Sequence, residues 1–96
     1  MGRLIARKGD SSSHGAVIVF TNQDGTVFCE GKEVAVYGAE LATHYTLPVH
    51  PLPRIIENLA TKLFVNSKAV VLNDSIADPA ICGATIIAGS SKTFGS

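Results

Sequence analysis

The sequence predicts an all-β domain built from three related units. Three observations carry that reading. Short β-branched or aromatic runs bounded by Gly, Asn, Asp or Pro recur along the chain. Helical periodicity is nearly absent, and one small apolar pattern closed by a turn residue occurs three times.

The pattern is clearest in Leu4-Ile5-Ala6-Arg7-Lys8-Gly9-Asp10, which is followed by His14. Glu33-Val34-Ala35-Val36-Tyr37-Gly38-Ala39 repeats it and leads to His44 and His50. Ala69-Val70-Val71-Leu72-Asn73-Asp74 is the most divergent copy and leads to Cys82. The flanks repeat as well. Thr26-Val27-Phe28-Cys29-Glu30-Gly31-Lys32 is echoed by Lys62-Leu63-Phe64-Val65-Asn66-Ser67-Lys68, with the two lysines at positions 32 and 68 36 residues apart. That period belongs to the range of stacked or radially arranged supersecondary units. Gly15-Ala16-Val17-Ile18-Val19 recurs as Gly83-Ala84-Thr85-Ile86-Ile87 and more faintly as Arg54-Ile55-Ile56-Glu57. One unit therefore reads as strand, loop with a metal-binding residue type, strand, turn, strand.

In chain order, strands are expected at 15–20, 26–29, 62–65 and 84–88. Asn22-Gln23-Asp24-Gly25 is expected to be a hairpin turn, because Asp-Gly supplies the positive φ that tight hairpins need. Three prolines in Leu47-Pro48-Val49-His50-Pro51-Leu52-Pro53 exclude helix or central strand there, since proline removes a donor and fixes φ. The stretch 55–64 has some helical spacing, but its alignment with the other units favours strand, turn, strand.

Composition limits the function. A chain of 96 residues is expected to form one domain, 1–96, with no linker and no effector extension, and 46% hydrophobic content excludes a disordered chain. At this size a core stabilises only modestly, so a metal staple would help. No apolar run approaches the roughly 20 residues that span a bilayer. Zero formal net charge and the lack of a basic block argue against a nucleic-acid partner and against attachment to a membrane by charge. The N-terminus shows no apolar signal core, so export would depend on a carrier machine. Cys29 sits in a strand pattern and is expected to be a small buried residue.

These residues resemble the PAAR-repeat family, named for a Pro-Ala-Ala-Arg stretch. Its members cap the spikes of contractile injection machines such as type VI secretion systems and contractile phage tails. The resemblance rests on Ile5-Ala6-Arg7-Lys8-Gly9-Asp10 with Ser13-His14-Gly15-Ala16, on the Phe-x-x-Gly-Lys form from Phe28 to Lys32, and on Ala80-Ile81-Cys82-Gly83-Ala84. No copy keeps the full motif. Leu4 and Glu33 replace proline, and the third copy lacks both the arginine and the glycine.

The resemblance implies a small cone of three pseudo-threefold units, pinned near its tip by a metal held by His14, His44, His50 and Cys82. Three imidazoles and a thiolate make a closed tetrahedral set suited to structural zinc, with iron as the other metal such a tip accommodates. His50 has a second reading, as an exposed loop residue between prolines. The implied role is to sharpen and cap a trimeric β-helical spike of valine-glycine-repeat or phage tail-spike type, one copy per trimer. That role includes transient contact with a target membrane during puncture, and tethering of effector cargo. The implied location is a virion tail or baseplate spike, or the bacterial cytoplasm before ejection.

The apolar stretches near Leu4, Ile5, Val34, Val36, Val70 and Leu72 are candidates for docking and equally for ordinary core. Catalysis is disfavoured. Ser11-Ser12-Ser13-His14 beside Asp10 is adjacency in sequence and not triad geometry, and neither a phosphate loop nor His-Glu-x-x-His is present. A small zinc-dependent hydrolase would need one ligand to be water, and a metal-free scaffold would survive chelation.

Overall fold

A computed structural model describes residues 3–23, 25, 27–42, 53–78, 83–89 and 93–95. Their secondary structure consists entirely of short strands, which fall into three units of four. Unit one holds β1 (Arg3–Leu4), β2 (Ser11–Ser12), β3 (Ile18–Phe20) and β4 (Phe28–Cys29). Unit two holds β5 (Lys32–Glu33), β6 (Glu40–Leu41), β7 (Ile55–Glu57) and β8 (Phe64–Val65). Unit three holds β9 (Lys68–Ala69), β10 (Ile76–Ala77), β11 (Ala84–Ile87) and β12 (Phe94–Gly95). Strands this short gain little as isolated ladders, so their stability must come from one another.

Apart from β10 with β11 inside unit three and the Glu40–Arg54 bridge inside unit two, pairing runs between units and closes on itself. The third strand of each unit pairs antiparallel with the second strand of the next: β3 with β6, β7 with β10, and β11 with β2. The fourth strand of each unit pairs with the first strand of the next: β4 with β5, β8 with β9, and β12 with β1. A closed cycle leaves no unit with an unsatisfied edge toward its neighbour.

The centre is a triangle of backbone hydrogen bonds. Ala6 N–H donates to Val71 O at 3.0 Å, Val71 N–H to Ala35 O at 2.9 Å, and Ala35 N–H to Ala6 O at 3.1 Å. Single bridges Arg7 to Val34, Val36 to Val70 and Ile5 to Leu72 surround it. Ala6, Ala35 and Val71 are fully buried.

Side chains on opposite faces of these central strands fill two cores. Ala6, Ala35 and Val71 join Ile18, Ile55, Ile86, Leu41 and Ala77 in one. Ile5, Val34, Val36, Val70 and Leu72 join Cys29 and Ala60 in the other. The apolar stretches with two readings are thus core and not docking surface, with only Leu4 half-buried. Cys29 is a buried free thiol, as expected.

The central turns repeat with equal fidelity. Gly9, Gly38 and Asp74 take φ of +89°, +87° and +72°, and their N–H groups donate to Ile18, Ile55 and Ile86 at 2.8, 3.1 and 2.8 Å. Where the third copy has lost its glycine, Asp74 still adopts the left-handed conformation that Asn and Asp tolerate best.

Asp24 of the hairpin expected at Asn22 to Gly25 lies outside the described residues, and among the described residues the flanking strands do not pair. The strands on either side of it, β3 and β4, belong to different sheets, because ring closure commits β3 to β6. The tight hairpins lie instead at Glu30-Gly31, φ +51° and +83°, and Asn66-Ser67, φ +50° and +67°. Two consecutive positive φ values match the twist of the flanking strands. The strand, turn, strand reading of 55–64 agrees with β7 and β8.

Candidate metal centre

Each expected metal ligand lies in the connection between the second and third strands of a unit. The β2–β3 connection carries His14, β6–β7 carries His44 and His50, and β10–β11 carries Cys82. The described ends of these connections are tied together in a second ring. Ala42 N–H donates to Val17 O, Asp78 N–H to Arg54 O, and Ser13 N–H to Thr85 O, each at 2.8 Å. Two side chains reinforce it. The Asp78 carboxylate accepts from Arg54 N–H at 2.9 Å, and the Ser13 hydroxyl accepts from Thr85 N–H at 3.0 Å. One connection from each unit therefore starts and ends beside those of the other two.

His14 is half-buried in this ring, next to Gly15, whose φ of +82° turns the chain back toward β3. Gly83 has φ of +71° at the corresponding place before β11. His44, His50 and Cys82 lie outside the described residues. Among the described residues no three of His, Cys, Asp and Glu come together in a metal-binding group.

The hydroxyls and carboxylate near His14 in sequence serve the fold. Ser12 Oγ donates to Ala16 O at 2.9 Å. The Asp10 carboxylate accepts from Arg7 N–H at 2.8 Å and from Gly89 N–H at 2.9 Å, and it faces the Arg7 guanidinium at 3.3 Å. The Arg7 guanidinium also reaches Glu30 at 3.7 Å. The sequence marks Arg7 as part of a repeat, and Asp10 as part of that repeat and as a neighbour of the Ser11-Ser12-Ser13-His14 run. Their spacing of three residues was the available sign, since a side chain at that distance can cap its own turn.

The other units solve the same problem differently. Ser75 Oγ accepts from Leu72 N–H at 3.0 Å, whereas Ala39 has no acceptor and Val36 N–H donates to Thr21 O at 3.1 Å.

Geometry thus shows three units closed into a ring, with the described ends of one connection from each tied to those of the others. A sequence model of the family described as the PAAR motif matches residues 8–88. The chain belongs to the PAAR motif family. No curated protein matches it. PAAR proteins are spike tips of type VI secretion systems and phage tails, structural parts and not enzymes. The PAAR turn of unit one, with its buried Arg7 and Asp10, is the copy that retains the motif's arginine, and it is where the buried ion pair forms.

Proposed function

We propose that this chain, acting as one unit, caps the blunt end of a trimeric β-helical spike, one copy per trimer, and sharpens it for membrane puncture. The observation that carries the proposal is the cyclic pairing of three units about one axis. It lets a single chain present three near-equivalent surfaces to three identical protomers. Cargo is held, where it is carried, on the surface left exposed after docking.

Within this reading His14, His44, His50 and Cys82 hold one metal ion, zinc or alternatively iron. The donor set suits it: nitrogen and sulfur ligands in the number a closed tetrahedral site requires. The second ring of hydrogen bonds supports it too, since it anchors the three ligand-bearing connections side by side. Bound zinc supplies a cross-link between loops of all three units. The chain's own residues position it through Ser13, Asp78 and the two glycines that reverse the backbone. Ligands for a non-catalytic site need no open coordination position.

The test is assembly. Mixed with its cognate purified spike, the chain should co-elute at one copy per trimer in size-exclusion chromatography with light scattering. A copy number of three per trimer, or no complex, would refute the capping role.

A further inference from the structure

The three units have diverged almost everywhere. Positions 7, 36 and 72 are Arg, Val and Leu; positions 8, 37 and 73 are Lys, Tyr and Asn; positions 10, 39 and 75 are Asp, Ala and Ser. One position in the inter-unit ribbons is identical in all three. The fourth strand of every unit begins with phenylalanine: Phe28 opposite Glu33, Phe64 opposite Ala69, and Phe94 opposite Leu4 in the register of the three inter-unit ribbons. These are three of the four phenylalanines in the chain.

Phe28 and Phe64 are also the two most exposed large apolar side chains among the described residues, at 59% and 55%. Burial therefore does not account for their identity. The same ribbons carry a cation in every copy, at Arg3, Lys32 and Lys68. For two of these the fold supplies a reason: Lys68 Nζ donates to Asn22 O at 3.0 Å, and the Arg3 guanidinium to Asn73 O at 3.1 Å and Asn58 O at 2.9 Å. No such internal role fits the two exposed rings.

Single exposed apolar side chains are ordinary, so the informative feature is that phenylalanine recurs at all three threefold-related places. A partner binding one flank would need one ring, and the other two would be free to drift. Retention at all three threefold-related places requires a partner that meets them together. A groove of about 500 Å³ opens beside Phe28, between the β4–β5 ribbon and the turn of unit one, lined by Lys8, Gly9, Gly31, Lys32 and Glu33. It gives a partner's apolar side chain a place next to the ring.

We propose that Phe28, Phe64 and Phe94 are the three anchors through which this chain grips its trimeric spike, one ring against each protomer. The inference rests on the capping role above and assigns its contact residues. The anchors supply apolar contact through the kind of side chain that carries most binding energy at protein interfaces.

Binding of the purified cognate spike to F28S, F64S, F28S/F64S and the triple variant with F94S tests it. Each single variant should weaken binding by about tenfold, as central aromatic anchors do. The double should lose more than either single while melting as the wild type does, because both rings stand in solvent. I87S, a comparably exposed apolar change outside the ribbons, should bind normally. If the wild type binds and F28S/F64S binds equally well, docking lies elsewhere and the capping role survives. If the wild type does not bind, both fall. If the wild type self-associates and F28S abolishes that, the rings meet a second copy of this chain, which also overturns the proposal.

Discussion

At the residue scale the buried Arg7–Asp10 pair is where a small change has the largest effect. Both side chains are more than nine-tenths buried, and Asp10 also holds the Arg7 and Gly89 N–H groups. Breaking a buried pair costs up to about 3–5 kcal/mol, and here Asp10 loss leaves the Arg7 guanidinium facing the more distant Glu30 carboxylate at 3.7 Å. Asp10→Ala should therefore lower thermal stability sharply. The double variant Arg7→Val with Asp10→Ala, which copies the residues at those places in unit two, should recover part of the loss, and equal melting of single and double variants would contradict this account. The same turn makes the opposite prediction in unit three. Asp74 is held at φ +72° without the freedom of glycine, so Asp74→Gly should stabilise by about 0.5–1 kcal/mol, read from chemical denaturation.

At the element scale the three ribbons are alike in register and different in covalent closure. Val34 N–H to Val27 O, Val70 N–H to Leu63 O, and Ile5 N–H to Thr93 O are equivalent bonds of 3.1, 3.1 and 2.9 Å. The first two ribbons are closed by two-residue turns. The third joins β12 to β1, at opposite ends of the described chain, so its strands can separate without opening a turn. Native-state hydrogen exchange should find the Ile5 amide exchanging faster than those of Val34 and Val70. Equal protection at all three would mean that the third ribbon is held by more than its own pairing. Arg3 contributes such support by clamping the Asn58 and Asn73 carbonyls.

At the scale of the whole molecule, stability near the ligand-bearing loops depends on what ties them. The ring through Ser13, Ala42 and Asp78 fixes where the loops begin and end. Metal ligation can contribute on the order of 10 kcal/mol of apparent folding free energy in small domains. Under the proposed site, elemental mass spectrometry should find about one zinc per chain, chelation should lower the melting temperature, and His14→Ala and Cys82→Ala should each reproduce that loss. Unchanged melting after chelation would remove the metal from the account and leave the ring intact.

The sequence alone determined the repeat, its register, the all-β class and the family. A cyclic fold forces residues of like role to recur at like spacing, so Ile5-Ala6-Arg7, Val34-Ala35-Val36 and Val70-Val71-Leu72 could be aligned before any partner was known. It also marked His14, His44, His50 and Cys82 as candidates, and the fold shows that the connections carrying them begin and end side by side. Pairing partners were decided only by tertiary structure. Asp24-Gly25 looks like a local hairpin, yet β3 binds β6 across the ring, and the real hairpins use Glu30-Gly31 and Asn66-Ser67. Local turn preference is weaker than the closure of three units on one another. Burial was likewise a tertiary matter. Val34 and Phe28 are both apolar residues in or beside short strands, and only the stacking of two cores about the axis puts the first inside and leaves the second in solvent.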